Sequence, residues 1–137
     1  MREEKENKNQ YGPEITLEII EPAFSVCKLE DYTEVDLTQP FCFTGCTDEE
    51  NSLVCLTGNV PDNCTERDDG WRCLRITGVL DFSLIGILAR ITKVLADHKI
   101  GVFAISTYNT DYVLTKAEQF DDAVTALRDA GYRFLEK

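Results

Sequence analysis

The sequence predicts an α+β fold of two tandem βαββαβ units, the first of them degenerate. Three observations lead to this prediction. The second half alternates apolar strand segments with amphipathic helices in the order β-α-β-β-α-β. The first half contains several short strand segments, and the balance of charge changes near Gly70. The 137 residues are enough for two small domains of about 60 to 70 residues each.

The second half opens with a predicted strand and a predicted helix. Residues 71–78 alternate in polarity, which is typical of a strand. Residues 83–97 carry apolar side chains at helical spacing, so one face of this helix should be buried. Asp81 or Ser83 can cap its start, because a side-chain oxygen there can accept from the first free amides.

The remaining elements of the second half complete the ferredoxin-like pattern. Residues 100–107 are almost wholly apolar and predict a strand that is buried, or nearly so, on both faces. Residues 111–116 predict the second strand of a hairpin. Apolar positions from Phe120 to Leu127 predict a second helix, which should end at Gly131 in a left-handed conformation. Residues 132–135 predict a last short strand.

The first half is predicted less regularly. Residues 1–13 are polar and charged and predict a disordered tail. Residues 15–29 predict a strand that is bent or interrupted at Pro22, because proline cannot donate to a central ladder. Further strands are predicted at 41–44 and 52–56, with loops at 30–40 and 58–69, the second of which has room for one short helix. We therefore divide the chain into a tail (1–13), an N-terminal domain (14–69) and a C-terminal domain (70–137).

The net charge of −11 lies almost entirely in the first half. Residues 14–69 hold fourteen acidic residues against Lys28 and Arg67, whereas residues 70–137 are nearly neutral. An acidic surface repels phosphate backbones, so we expect no nucleic acid partner. The charge is compatible with a solvated acidic face and equally with a surface for a cationic ligand or a basic partner.

Sequence features also bear on the compartment of the protein. No segment approaches the roughly 18 consecutive apolar residues that span a bilayer. The first residues are charged and no apolar stretch follows them, which indicates no secretory signal. We therefore expect a cytoplasmic protein with no membrane partner.

All six cysteines lie at or before Cys73. In a cytoplasmic protein we expect reduced thiols, which pack as small hydrophobic side chains. A zinc site is disfavoured, because the closest pair is Cys42 and Cys46 and the only histidine is His98. We therefore expect no metal and no cofactor, while a redox role of the cysteines stays an alternative.

The segment 103–114, with Gly78 to Gly86 upstream, resembles bacterial tandem ACT-domain proteins. This group is related to the ACT domains of the CASTOR arginine sensors. The residues around Ser52 and the junction at Gly70 are also similar, so the resemblance covers about residue 15 to the end. It implies two ACT units, a regulatory role without catalysis, and a small effector, typically an amino acid, bound where ACT units meet.

The resemblance also implies ligand-binding residues. From one unit they come from the strand that holds Ser52 and Leu53, and from the other unit from two segments of the second half. These segments supply the following residues: Asp81, Leu84, Gly86, Ile87, Thr107, Tyr108 and Asp111. Leu84 and Asp81 depart from the pattern of the arginine-binding relatives, so the resemblance implies a small-ligand site rather than a site for arginine.

The residue chemistry fits an amino acid. Asp111 offers a carboxylate for an ammonium or guanidinium group. The free amides at the start of the first helix can bind a carboxylate, and Tyr108 can pack on an aliphatic stem or a cation. As structural alternatives, Asp111 binds turn amides and Tyr108 packs at the hairpin.

The sequence is also compared with two other kinds of function, a protein-interaction module and an enzyme. The sheets can dimerise or dock onto a partner without a small ligand, because an outer strand invites edge-to-edge association. In either case we expect a homodimer or a higher oligomer. An enzyme is disfavoured, because the sequence shows no nucleophile–histidine pair, no phosphate-binding loop and no metal cluster.

Overall fold

The structure is a computed structural model that describes residues 16–77 and 86–135. The predicted tail and the residues Asp81, Ser83 and Leu84 lie outside the described residues. Within them there are seven strands: β1 (Thr16–Leu29), β2 (Phe43–Cys46), β3 (Asn51–Leu56), β4 (Cys64–Thr77), β5 (Phe103–Ser106), β6 (Asp111–Lys116) and β7 (Arg133–Phe134). There are two α-helices, α1 (Ile87–Asp97) and α2 (Ala117–Asp129), and one 3-10 turn at Thr57–Asn59.

The chain divides into two compact units. One comprises residues 1–20 and 73–137 and is called the C-terminal unit below; the other comprises residues 21–72 and is called the inserted unit. β1 and β4 each contribute to both units, because each strand passes through a boundary. None of the helices in the described residues is long and apolar enough to cross a membrane.

The predicted β-α-β-β-α-β order is confirmed in the C-terminal unit, where β4, α1, β5, β6, α2 and β7 follow one another along the chain. Both helices pack on the same face of the sheet. Their apolar side chains form one core with those of the strands: Leu17, Leu74, Ile76, Ile87, Ile91, Leu95, Ile100, Val113, Phe120, Ala123 and Leu127. This arrangement fits a ferredoxin-like fold.

The start of β1 belongs to the C-terminal unit, which differs from the sequence-based division at residue 70. Here the strand order is β7-β1-β4-β6-β5. Thr16 and Leu17 pair in parallel with Arg133 and Phe134 of β7, and the amide of Leu135 donates to the carbonyl of Leu17 (2.8 Å). The buried side chain of Leu17 fills the same core as the helices, and this packing holds the N-terminal strand in the C-terminal unit.

The apolar segment 100–107 is shorter and more exposed as a strand than predicted. Only Phe103–Ser106 is a strand, and its burial alternates, with Ala104 and Ser106 exposed. The prediction of burial on both faces is wrong, because β5 is the last strand in the order and is paired with β6 alone among the described strands. Position in the sheet, rather than apolar composition, decides its burial.

β1 runs through Pro22 without a break, so of the two predicted alternatives, a bent or an interrupted strand, the interruption is wrong. β7 pairs with β1 at Thr16 and Leu17, and β3 pairs with β1 from Phe24 to Leu29. In these registers Pro22 lies between the two paired segments, and residues 21–23 are all exposed.

The inserted unit is built from strands and one 3-10 turn. Its strand order is β2-β3-β1-β4, and residues 21–72, all of which are described, contain no α-helix. The helix expected within residues 58–69 is replaced by the 3-10 turn and by the start of β4. The core of this unit is small and rich in thiols, with Cys27, Leu29, Leu53 and Cys55 buried. That this unit is a degenerate copy of the C-terminal fold stays a prediction.

Candidate ligand-binding site

The β5–β6 hairpin carries three of the predicted site residues. The amide of Thr107 donates to the carbonyl of Thr110 (2.8 Å), and the Thr107 hydroxyl donates to the same oxygen (2.9 Å). The Thr110 hydroxyl donates to the carbonyl of Ile76 at the end of β4 (2.5 Å). These bonds fix the turn and its position beside β4.

Tyr108 lies within this turn, and Asp111 follows it directly. The side chain of Tyr108 is 87% exposed, so the ring is accessible rather than packed in the core. Asp111 is partly buried at the first position of β6, opposite Ser106 of β5. Residues 107–111 of the hairpin therefore carry a hydroxyl, an aromatic ring and a carboxylate close together.

The second predicted segment of the C-terminal unit lies at the start of α1. Gly86 occupies the N-cap with φ of +85°, and its carbonyl accepts from the amide of Arg90 (2.9 Å). This left-handed conformation favours glycine. Ile87 is only 6% exposed and packs in the core, so only its backbone is available to a ligand.

Ser52 and Leu53 lie on β3 of the inserted unit. The side chain of Leu53 is buried in the thiol-rich core. Ser52 pairs with Lys28 and Gly45, and its carbonyl accepts from the hydroxyl of Tyr32 (2.8 Å). The backbone carbonyl of Ser52 therefore already accepts a hydrogen bond from within the unit. The ligand-binding roles of Ser52 and Leu53 stay predictions.

A charged cluster in the C-terminal unit was not identified from the sequence. The Nε and Nη2 atoms of Arg75 donate to Oε1 of Glu18 at 3.2 and 2.9 Å. Nη1 donates to the hydroxyl of Tyr112 (3.5 Å), and the guanidinium carbon lies 5.9 Å from the centre of that ring. The Tyr112 hydroxyl and the Glu18 carboxylate both raise the pKa of Arg75. The signal in the sequence is a charged residue between two apolar neighbours on each of two strands. Glu18 is the acidic one on β1, and Arg75 is the basic one on β4.

Most cysteines are in packed environments, as the sequence indicates, although Cys46 is exposed. Burial raises the pKa of Cys27 and Cys73 to about 12 and that of Cys55 to about 11. These three side chains are therefore thiols rather than thiolates near neutral pH, which makes them poor nucleophiles. In the part of the chain that the structure describes, no three histidine, cysteine or acidic side chains are arranged to hold a metal ion.

Comparisons with known proteins agree with the fold described above. Residues 66–129 match the family model of the ACT domain. A structural-genomics target protein from Agobacterium tumefaciens has a similar structure, with a TM-score of 0.80 and 27% sequence identity over 92% of this chain and 96% of that chain. No curated protein sequence matches the chain.

More distant structures share the fold. A protein of unknown function from Vibrio cholerae has a TM-score of 0.67 and 17% identity over 86% of this chain and 91% of that chain. The regulatory subunit of aspartate kinase from Thermus thermophilus has a TM-score of 0.58 and 10% identity over 85% and 95% of the two chains. Residues 66–129 therefore match the ACT domain, and the described chain has a fold similar to that of an aspartate kinase regulatory subunit.

Proposed function

We propose that this chain is a non-catalytic regulatory protein that binds a small effector of the amino acid class through its C-terminal unit. The observation that carries the proposal is the ACT match over residues 66–129. This range contains both segments that the resemblance assigns to the ligand in this unit, the start of α1 and the β5–β6 hairpin. A regulatory role is supported by the similarity in fold to the aspartate kinase regulatory subunit.

The chemistry of the two segments suits a zwitterion. An ammonium group requires an anionic partner, and Asp111 supplies a partly buried carboxylate. A carboxylate requires donors, and the first amides of an eleven-residue helix have no partner within the helix. Gly86 at the N-cap has no side chain that could occupy them. The exposed ring of Tyr108 is available to cover the aliphatic part of the ligand.

The other residues of the proposed site rest on the resemblance alone. Asp81 and Leu84 fall outside the described residues, and Ser52 and Leu53 belong to the inserted unit. The relationship to the CASTOR sensors, a homo-oligomeric state and a binding position where ACT units meet belong to the same proposal. Arginine is not the expected ligand, because Leu84 lacks the acid of the arginine-binding relatives.

The test is a thermal unfolding series with each of the twenty L-amino acids. A ligand at 100 times its dissociation constant adds about 2.7 kcal/mol to the unfolding free energy, so a true effector should raise Tm by several degrees. Asp111→Asn should remove this rise. Asp121→Asn on the exposed surface of α2 is the matched control and should keep it. The proposal would be refuted if none of the twenty amino acids raised Tm.

A further inference from the structure

Four cysteines meet in the core of the inserted unit. Cys27 of β1 and Cys55 of β3 are buried there, and Cys42 and Cys64 pack against the same core. Cys46 of the same unit is exposed and lies outside this group. A disulfide forms only between side chains whose β carbons are close together, and cysteines that share one core are therefore candidates for such a bond.

The pairing of β1 with β4 brings Cys64 next to Cys27. The two strands are neighbours in the sheet, and the hydroxyl of Thr65 donates to the carbonyl of Lys28 (3.0 Å). Side chains two positions apart on a strand share a face, so Cys27 lies on the same face of β1 as Leu29, and both are buried in the core that Cys64 contacts. Cys27 and Cys64 are therefore on adjacent strands and face the same core.

The two thiols also interact directly. Burial is the largest cause of the raised pKa of Cys27, which is about 12. The charges of Cys64 and Cys55 raise this pKa further, and so does a hydrogen bond between the side chains of Cys27 and Cys64. A hydrogen bond between two thiols requires their sulfur atoms to be in contact, which is the arrangement from which a disulfide forms.

Exposure distinguishes the thiol that an oxidant meets first. Cys27 is 4% exposed and Cys55 is 2% exposed, so solvent hardly reaches either of them. Cys64 is partly exposed, and its sulfur donates to the carbonyl of Glu66 (2.9 Å). A small oxidant in solution therefore reaches Cys64 before it reaches the two buried thiols, and Cys27 is the neighbour that can react next.

We propose that Cys64 and Cys27 form a reversible disulfide when a hydroperoxide oxidises the protein. The sulfur of Cys64 attacks a peroxide oxygen and the O–O bond breaks, which gives a sulfenic acid on Cys64 and releases water or an alcohol. The sulfur of Cys27 then attacks the sulfur of Cys64. The S–S bond forms, the S–O bond breaks, and the leaving hydroxide takes the thiol proton and departs as water. Two thiols are oxidised, one peroxide is reduced, and a small dithiol reverses the reaction.

The second step is feasible although Cys27 is a weak nucleophile. Its high pKa leaves few thiolates near neutral pH, but groups held in contact react with effective concentrations of about 10⁵ M or more. The positive charge of Arg67 also favours the thiolate, since it lowers the pKa of Cys27. The disulfide lies wholly within the inserted unit and needs no amino acid ligand, so it goes beyond the function proposed above.

The test is a peptide map of the reduced wild-type protein after treatment with one equivalent of hydrogen peroxide. The reaction is stopped with acid, and the remaining thiols are alkylated. Trypsin together with a protease that cleaves before aspartate separates Cys64, in residues 62–67, from Cys55, in residues 48–61. We expect residues 62–67 to be joined to a peptide that contains Cys27, and a dithiol should remove this link. Cys46 should be found alkylated, although it is the more exposed thiol.

Two variants show whether Cys64 is the thiol that reacts first. Cys64→Ser should slow the oxidation of Cys27 about tenfold or more, because the buried thiol is then left without its reactive neighbour. Cys46→Ser is the matched control from the same unit and should form the same link as the wild type. The wild-type map decides the question even if Cys64→Ser fails to fold. Alkylation of both Cys27 and Cys64 after the peroxide treatment would overturn the proposal, and so would a link from Cys27 to Cys55.

Discussion

The hydroxyl of Thr110 donates a hydrogen bond to the backbone carbonyl of Ile76 at 2.5 Å, and this bond joins the β5–β6 turn to the end of β4. Ile76 is 1% exposed and lies in the core. The turn that carries Tyr108 and Asp111 is therefore anchored to a buried segment of β4, rather than held by the hairpin alone.

Replacing this hydroxyl should weaken the unit. Thr110→Val keeps the shape of the side chain but leaves the Ile76 carbonyl without this donor, so we expect a loss of about 1 to 2 kcal/mol in the unfolding free energy. Urea denaturation measures it. Thr125→Val, a threonine exposed on α2, should change the value by less than about 0.5 kcal/mol. Equal effects of the two substitutions would show that the bond contributes nothing.

The ion pair of Arg75 and Glu18 should be stronger than an exposed pair of the same length. Both the Arg75–Glu18 and the Lys93–Asp97 contacts are 2.9 Å, but the side chains are 32% and 19% exposed in the first pair and 74% and 60% in the second. A double-mutant cycle with Arg75→Met and Glu18→Gln should give a coupling energy of about 1 kcal/mol or more.

The exposed pair is the internal control for this cycle. Lys93→Met with Asp97→Asn should give about 0.3 to 0.5 kcal/mol, because solvent screens an exposed pair within one helix. Urea denaturation of the single and double variants provides both values. A coupling in the Arg75 cycle no larger than that in the Lys93 cycle would contradict the importance we assign to burial.

Gly86 should be sensitive to substitution because of its backbone conformation alone. Its φ is +85°, and the nearest atom to an added Cβ would be Nε of Arg90 at 4.0 Å, an ordinary contact. Gly86→Ala should therefore cost about 1 to 2 kcal/mol, measured by thermal unfolding. Gly101→Ala meets no atom within 4 Å and should be neutral or stabilise by about 0.4 to 1 kcal/mol. A stable Gly86→Ala protein would mean that residue 86 does not require a left-handed conformation.

The buried thiols should make the protein less stable at alkaline pH. Burial raises the pKa of Cys73 from 9.0 to about 12, so the unfolded chain loses this proton at lower pH than the folded chain does. The unfolded state then binds fewer protons between pH 9 and about 12, and the unfolding free energy must fall as the pH rises through this range.

Substitution of Cys73 shows whether this residue causes the fall in the unfolding free energy at alkaline pH. The contribution of Cys73 should be on the order of 1 kcal/mol per pH unit above pH 9, measured by urea denaturation at pH 8, 9 and 10. Cys73→Ala should reduce the slope against pH, whatever its effect on stability at pH 8. A slope that is the same in wild type and Cys73→Ala would contradict the raised pKa.

The sequence predicts elements well where the periodicity is local and strong. The strand over residues 111–116 is confirmed with the same bounds. The helix around Phe120 is confirmed as α2, and Gly131 has a positive φ of 102° as predicted. In these segments one face is buried and the other is exposed, so the pattern of side chains determines the element directly.

Elements that depend on distant partners were predicted less well. The pairing of β1 with β7 joins residues more than a hundred positions apart, and no local pattern encodes it. The first half of β4 is exposed at positions 65–69, so it lacks the apolar alternation that marks a strand. For the site, the β5–β6 hairpin could be predicted from the sequence. The contact between Arg75 and Glu18 could not, because these residues are 57 positions apart and meet only when β1 and β4 pair.

The most direct test of amino acid binding by the C-terminal unit is an NMR titration of the uniformly ¹⁵N-labelled protein with an equimolar mixture of the twenty L-amino acids. The account predicts saturable shifts of the backbone amides at Gly86, Ile87 and residues 107–111, which Asp111→Asn abolishes. It would be contradicted by the absence of any shift, or by shifts confined to residues far from both segments.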